Sequence, residues 1–218
     1  MVDRFFAPGC ALMIYKPESA KKIHSILCEN LGNIEMLVTC CQHDPELKEP
    51  ARIINICPGC DKRYRNDYVN SSTISLWEIL AESDFFPFPD YNNLSMTILD
   101  ACPTRDQEQI HSAIRKILSK MNIELVEPKN TRTKSTCCGD SFYGEIPVDK
   151  VKVQMARKAS EMPADDVIVY CVSCSKAVFV GGKKPRYLID LLFAEETLPK
   201  TYEPDEWHDE LKIYIGNH

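Results

Sequence analysis

The sequence predicts an α/β protein of two tandem, duplicated halves, each a small, largely parallel sheet with covering helices and cysteine loops at one rim. Three observations predict it. Ten of the 11 cysteines fall into two sets with one internal order: a single Cys, an adjacent pair, then Cys-x-x-Cys. These are Cys10, Cys40-Cys41 and Cys57-Pro-Gly-Cys60, followed by Cys102, Cys137-Cys138 and Cys171-Val-Ser-Cys174. Such a repeat marks an internal duplication. Short apolar, β-branched runs lead into the Cys-x-x-Cys of each set, as buried strands do, apolar residues also precede each single Cys, and stretches of helical apolar spacing follow. A βα alternation of this kind favours parallel sheets with helices packed on them.

In chain order, Phe5-Phe6 leads to Cys10, and a helix from about Ser19 carries Ile23, Ile26, Leu27 and Leu31 and ends before Gly32. Arg52-Ile53-Ile54-Asn55-Ile56 is a strand running into Cys57, and Ile74, Trp77, Leu80 and Ala81 give a helical face beyond it. The turn-forming segment Phe85–Asn93 places the boundary between the halves, 1–93 and 94–218. Met96-Thr97-Ile98-Leu99 then leads to Cys102, and Ile110, Ala113, Ile114, Ile117, Leu118 and Met121 share one helix face. Val151, Met155, Ala159 and Met162 predict a further helix between pair and Cys-x-x-Cys, in an insertion that the first half lacks. Val167-Ile168-Val169-Tyr170 runs into Cys171, and Leu188, Leu191 and Leu192 predict a helix whose start would tolerate Pro185. The acidic C-terminal tail from Pro199, with Tyr202, Trp207 and Tyr214, either docks a partner or packs against the first half.

Composition narrows the function. Lys plus Arg number 26 against 32 Asp plus Glu, a net charge of -6, which argues against nucleic acid as the main partner. No apolar run approaches the roughly 18 to 20 residues of a membrane span. The opening residues break their apolar stretch at Pro8-Gly9, against a secretory signal, and the expected location is the cytoplasm. In a reducing compartment an odd number of cysteines is not a disulfide framework, so metal or redox chemistry is expected.

In parallel sheets ligands bind beyond the carboxyl ends of the strands, and Cys10, Cys57, Cys102 and Cys171 are all expected at that edge. Thiolates select zinc, copper(I) or iron-sulfur clusters. Structural zinc closes with four ligands, so a five-thiol set leaves one over, and adjacent cysteines suit a group with several metal atoms better than one small ion. No ferredoxin run of cysteines is present.

The set ending in Cys137-Cys138-Gly139 and Cys171-x-x-Cys174 resembles the cysteine-rich CCG domain of the disulfide-reducing subunit of heterodisulfide reductase. Related domains occur in iron-sulfur subunits of glycolate oxidase and of some succinate:quinone and thiol:fumarate reductases. The resemblance implies two non-cubane [4Fe-4S] clusters facing each other, with a disulfide reduced between them. It assigns Cys10, Cys40, Cys41, Cys57 and Cys60 to one cluster and Cys102, Cys137, Cys138, Cys171 and Cys174 to the other. The first motif departs from the family: Gln42 stands where Gly139 stands in the second, and its last spacer is shorter. Gly139 lets the backbone approach the cluster or take positive φ, which Gln42 does less readily. A zinc site drawn from Cys40, Cys41, Cys57 and Cys60 therefore competes in the first half, with His43 as an added candidate ligand.

The remaining features are read more plainly. Cys28 is a packed helical thiol, the run Lys62-Arg63-Tyr64-Arg65 and the pair Arg132 and Lys134 are solvated loop charges, and Trp77 and Trp207 are core or interface residues. Without a G-x-G-x-x-G fingerprint or a ferredoxin motif, electrons must come from a flavin or ferredoxin-like partner subunit. The leading expectation is an oxidoreductase subunit that reduces a small disulfide or oxidises thiols. The alternative is a non-catalytic electron-transfer or assembly subunit with one cluster and one zinc.

Overall fold

The computed structural model describes residues 3–47 and 50–218. The chain forms two compact units, one of the residues up to Phe86 with Glu210–His218, the other of Pro87–Asp209. The first unit contains β1 (Asp3–Ala7), α1 (Cys10–Tyr15), α2 (Pro17–Leu31), β2 (Glu35–Met36), β3 (Ala51–Asn55), α3 (Pro58–Asp67), β4 (Ser71–Ser75) and α4 (Leu76–Glu82). Its strands form one parallel sheet in the order β2-β1-β3-β4, with Phe5 beside Ile53 and Phe6 beside Ile54 in the central pair.

The second unit repeats this plan. It contains β5 (Leu94–Ile98), α5 (Glu108–Lys120), β6 (Ile123–Val126), α6 (Val148–Ser160), β7 (Asp166–Val169), α7 (Val172–Val180), β8 (Lys184–Tyr187) and α8 (Leu188–Leu192). The parallel order is β6-β5-β7-β8, the same permutation as in the first sheet. A last helix, α9 (Pro204–Asn217), gives residues up to Asp209 to the second unit and those from Glu210 to the first.

In each sheet the strand order reverses between the two central strands, β1 and β3 or β5 and β7. At such a point neighbouring crossovers diverge and leave a crevice outside the carboxyl ends of the strands. Cys10, Cys57, Cys102 and Cys171 follow those four strands.

Local sequence explains the frame. Val167, Ile168 and Val169 are wholly buried, as a parallel strand covered on both faces requires. On α5, Ile110, Ala113, Ile114, Ile117 and Leu118 are all buried, and each large aliphatic side chain so placed contributes about 1.5–3 kcal/mol. Val151, Met155 and Ala159 of α6 are buried in the same way. Helix α4 starts with a capping box in which Ser75 accepts from Trp77 N–H and Glu78 accepts from Ser75 N–H.

Two local expectations change. Ile74 belongs to β4 and Pro185 to β8, so neither opens a helix. Pro185 is tolerated because β8 is an edge strand. The run Lys62–Arg65 lies on α3 instead of a loop, with Tyr64 buried and Arg65 paired to Asp61 at 2.8 Å. No helix among the described residues is long and apolar enough to cross a membrane.

Candidate metal centre

In the first unit the chain leaves β1 through Pro8-Gly9 and enters α1 at Cys10. Gly9 has φ +81, and a β-carbon there would lie 2.9 Å from Cys57 Cβ and 3.2 Å from Cys60 Sγ. Only glycine lets this loop close against the Cys-x-x-Cys. Cys57 caps the N-terminus of α3, with Pro58 in its first turn and Cys60 facing inward. Cys41 and Cys60 pack with Ala7, Ile53 and Tyr64 in one buried apolar cluster. The Tyr68 hydroxyl holds the loop after the pair by donating to the carbonyls of Cys41 and His43, at 3.0 and 2.9 Å. At the other end of the chain, the His218 carbonyl accepts from Cys40 N–H at 3.0 Å.

The five thiols of this unit meet in a continuous series: Cys10 with Cys40, Cys40 with Cys41, Cys41 with Cys60, and Cys60 with Cys57. The second unit shows the same series, Cys102 with Cys137, Cys137 with Cys138, Cys138 with Cys174, and Cys174 with Cys171. In both, the N–H that follows the pair donates to the first thiol of the pair, Gln42 to Cys40 at 3.5 Å and Gly139 to Cys137 at 3.3 Å. Cys28 stays apart on α2, where its thiol donates to the Ile34 carbonyl at 3.5 Å. His43 is exposed.

Crowding divides the protons unevenly. The Cys60 thiol donates to Cys57 and, with the Gly59 and Cys60 N–H groups, brings Cys57 down to about 7 despite burial. Cys60 itself is pushed up by its hydrogen bonds with Cys41 and Cys57 and by burial, and Cys10 is pushed up by burial and by Cys40. In the second unit Cys137 is held far below a free thiol by Cys102 and Cys138, with help from Ser141 and Gly139 N–H, while Cys102, Cys138 and Cys174 are pushed up. Ionising one thiol therefore opposes ionising its neighbours. Five thiolates per site need a soft, multiply charged metal group among them, and this donor set fits one. Among the described residues no three or more His, Cys, Asp or Glu side chains are arranged to hold a single metal ion.

The second unit adds polar anchors that sequence reasoning missed. Asp100, wholly buried between β5 and Cys102, receives both arms of the Arg115 guanidinium at 2.7 Å. Burial alone would raise its carboxyl, but Arg115, Arg132 N–H and Thr131 hold it at about 2. Arg115 also binds Glu127. The sequence signal was an acidic residue just ahead of a site cysteine, with its arginine partner fifteen positions away on α5.

The C-terminal segment covers this site. Trp207 is buried and its indole N–H donates to Ser173, inside the Cys171–Cys174 motif, at 3.0 Å. His208 stacks on Tyr143 at 3.8 Å and pairs with Asp140 at 3.2 Å, two positions beyond Cys138. Cys137 opens into a cleft of about 270 Å³ lined also by Asn130, Thr136, Phe142, Arg157 and Lys158.

Comparison with family models matches residues 96–178 to the cysteine-rich domain CCG. No curated protein matches the chain. The matched span holds Cys102, Cys137, Cys138, Gly139, Cys171 and Cys174, and ends before the segment carrying Trp207 and His208. Residues 96–178 are therefore similar to the CCG cysteine-rich domain, a match that spans less than half of the chain.

Proposed function

We propose that the protein is an iron-sulfur redox subunit of heterodisulfide-reductase type. Cys10, Cys40, Cys41, Cys57 and Cys60 would hold one [4Fe-4S] cluster, and Cys102, Cys137, Cys138, Cys171 and Cys174 a second. The observation that carries this reading is the identical order of thiol contacts in two sheets of identical strand order. Clusters of this kind supply one-electron transfer and a soft iron surface for sulfur.

The rest falls to the chain. The N–H groups of Gln42 and Gly139 donate to the first sulfur of each pair. The cleft beside Cys137 admits a small molecule, with Arg157 exposed at its edge. Reduction of a disulfide to two thiols takes two electrons and two protons. The electrons come from a flavin or ferredoxin-like partner, since the chain carries no fingerprint for a nicotinamide or flavin.

Iron and acid-labile sulfide analysis of anaerobically purified protein tests the proposal. About eight irons per chain are expected. About four irons with one zinc would replace it with the single-cluster electron-transfer or assembly reading.

A further inference from the structure

We propose that Asp100 is the positioning residue of the second site, tying all three cysteine-bearing loops of that unit to one carboxylate. This rests on the reading of the second thiol set as a cluster site. Asp100 lies two residues before Cys102. Its Oδ2 accepts from Thr131 and from Arg132 N–H, both at 2.7 Å, and its own carbonyl accepts from Ser135 at 2.6 Å. Those contacts fix the loop that ends in Cys137-Cys138. Its Oδ1 accepts from the hydroxyl of Tyr170, the residue before Cys171, at 3.1 Å. The same hydroxyl accepts from Ala101 N–H at 2.9 Å and meets Thr104 at 2.9 Å, on either side of Cys102. The Arg115 fork closes the arrangement.

Two further observations favour positioning over simple stabilisation. Arg132 has φ +54, a left-handed conformation unfavourable for a residue with a β-carbon, and its N–H is the one Asp100 binds. A buried ion pair is also a poor source of stability compared with apolar packing, so its use here points to geometry. In the first unit the buried carboxylate is Asp61, beside Cys60, which accepts from Asn55 at 2.9 Å and from Arg65 at 2.8 Å, and among the described residues no hydrogen bond joins it to the loops of Cys10 or of the pair. Pro8 stands two residues before Cys10 and Ile56 stands before Cys57. A single carboxylate thus joins all three cysteine loops of the second site, while in the first the Tyr68 hydroxyl tethers the loop after the pair and Asp61 is bonded beside Cys60.

The test uses Asp100→Asn and Tyr170→Phe in the full chain, against Ile117→Val as a control that loosens the α5 core without touching the network. Rates of iodoacetamide labelling at each cysteine are read by peptide mass spectrometry on anaerobic, metal-free protein, and the paramagnetic signal is read after reconstitution. Loss of a charge-assisted hydrogen bond should raise labelling of Cys102, Cys137 and Cys171 about tenfold. The reconstituted signal of the second site should broaden while labelling in the first set stays unchanged. If the variants melt lower but label like the Ile117→Val control and keep the parental signal, the role is structural only and the proposal is overturned. Should Asp100→Asn fail to fold, Tyr170→Phe, which removes one hydroxyl, decides by the same criteria. A parent that binds no iron while the metal-free labelling pattern still changes would overturn the cluster reading and support the positioning role.

Discussion

A β-carbon on Gly139 would lie 2.8 Å from the backbone nitrogen of Met155, so the residue after the second cysteine pair is packed directly against α6. Gly139 also has φ +111. Among its described residues the first unit has no helix between its pair and β3. Gln42, in the equivalent place, therefore faces no such wall, yet its N–H still reaches the first thiol of its pair. The departure at Gln42 follows from a missing helix.

That relationship gives the first prediction. Gly139→Ala should destabilise the metal-free protein by about 1–3 kcal/mol, through strain at positive φ and the clash with Met155. Gln42→Gly should stay within about 1 kcal/mol of the parent, since it changes only backbone freedom. Chemical denaturation followed by circular dichroism compares them, and equal effects would contradict the argument.

The sequence made the sites legible where chemistry and local pattern coincide. The apolar runs before Cys57 and Cys171, rich in Ile and Val, are legible as strands because a parallel strand covered on both faces leaves that pattern, and Phe5-Phe6 and Met96–Leu99 mark the inward ends of β1 and β5. The edge strands were hidden. Ser71–Ser75 is mostly polar and Lys184–Tyr187 contains a proline, so neither alternates in a way that marks a strand. Helix α3 was hidden because Cys60 and Tyr64 are its main inward side chains amid charged neighbours. Asp100 was invisible for a different reason. Its partners Arg115, Thr131 and Tyr170 are distant in sequence, and such pairing leaves no periodic trace. The tail was open between docking a partner and packing against the first half; Trp207 is instead buried against Ser173 of the second half, and Glu210–His218 group with the first.

The cover formed by Trp207 is testable without metal. Trp207→Phe keeps most of the ring but removes the hydrogen bond to Ser173, which should lower stability by about 1 kcal/mol. Trp207→Ala should cost about 3–5 kcal/mol and expose the Cys171–Cys174 motif. Thiol labelling at Cys174 should rise sharply in the alanine variant and little in the phenylalanine one. Equal labelling in both would show that the indole does not shield the motif.

His111 supplies a pH prediction. It is buried on α5 with Nε2 at 3.1 Å from Thr104 and with no partner at Nδ1. Burial lowers its pKa from the ordinary 6.5, Asp100 and Glu108 act the other way, and Arg115 and Arg132 add to the lowering. As the pH falls below about 6.5, the unfolded chain takes up a proton there that the folded protein refuses, so stability falls. The loss ends once the folded imidazole itself titrates. Unfolding curves of metal-free protein between pH 7 and 5 should be flatter for His111→Gln than for the parent. A steeper dependence in the variant would reverse the sign and refute the assignment.

The last prediction tests the partition of the thiols. Cys138 and Cys174 are buried links in the middle of the second series, as Cys41 and Cys60 are in the first. Replacing either by serine puts a harder, far less acidic ligand where a thiolate is needed. Cys138→Ser and Cys174→Ser should remove the metal of the second unit and leave the first intact, and Cys41→Ser and Cys60→Ser should do the reverse. Cys28→Ser should change nothing, because its thiol donates to a carbonyl on α2's own side of the first unit. Metal content of each variant, together with reduction of a small disulfide by a strong artificial donor, reads the result. If both clusters are needed for the two-electron reaction, damage to either set should abolish turnover while half the metal remains. Normal turnover in Cys41→Ser and Cys60→Ser would leave the second unit acting alone, and metal loss in Cys28→Ser would break the five-plus-five partition itself.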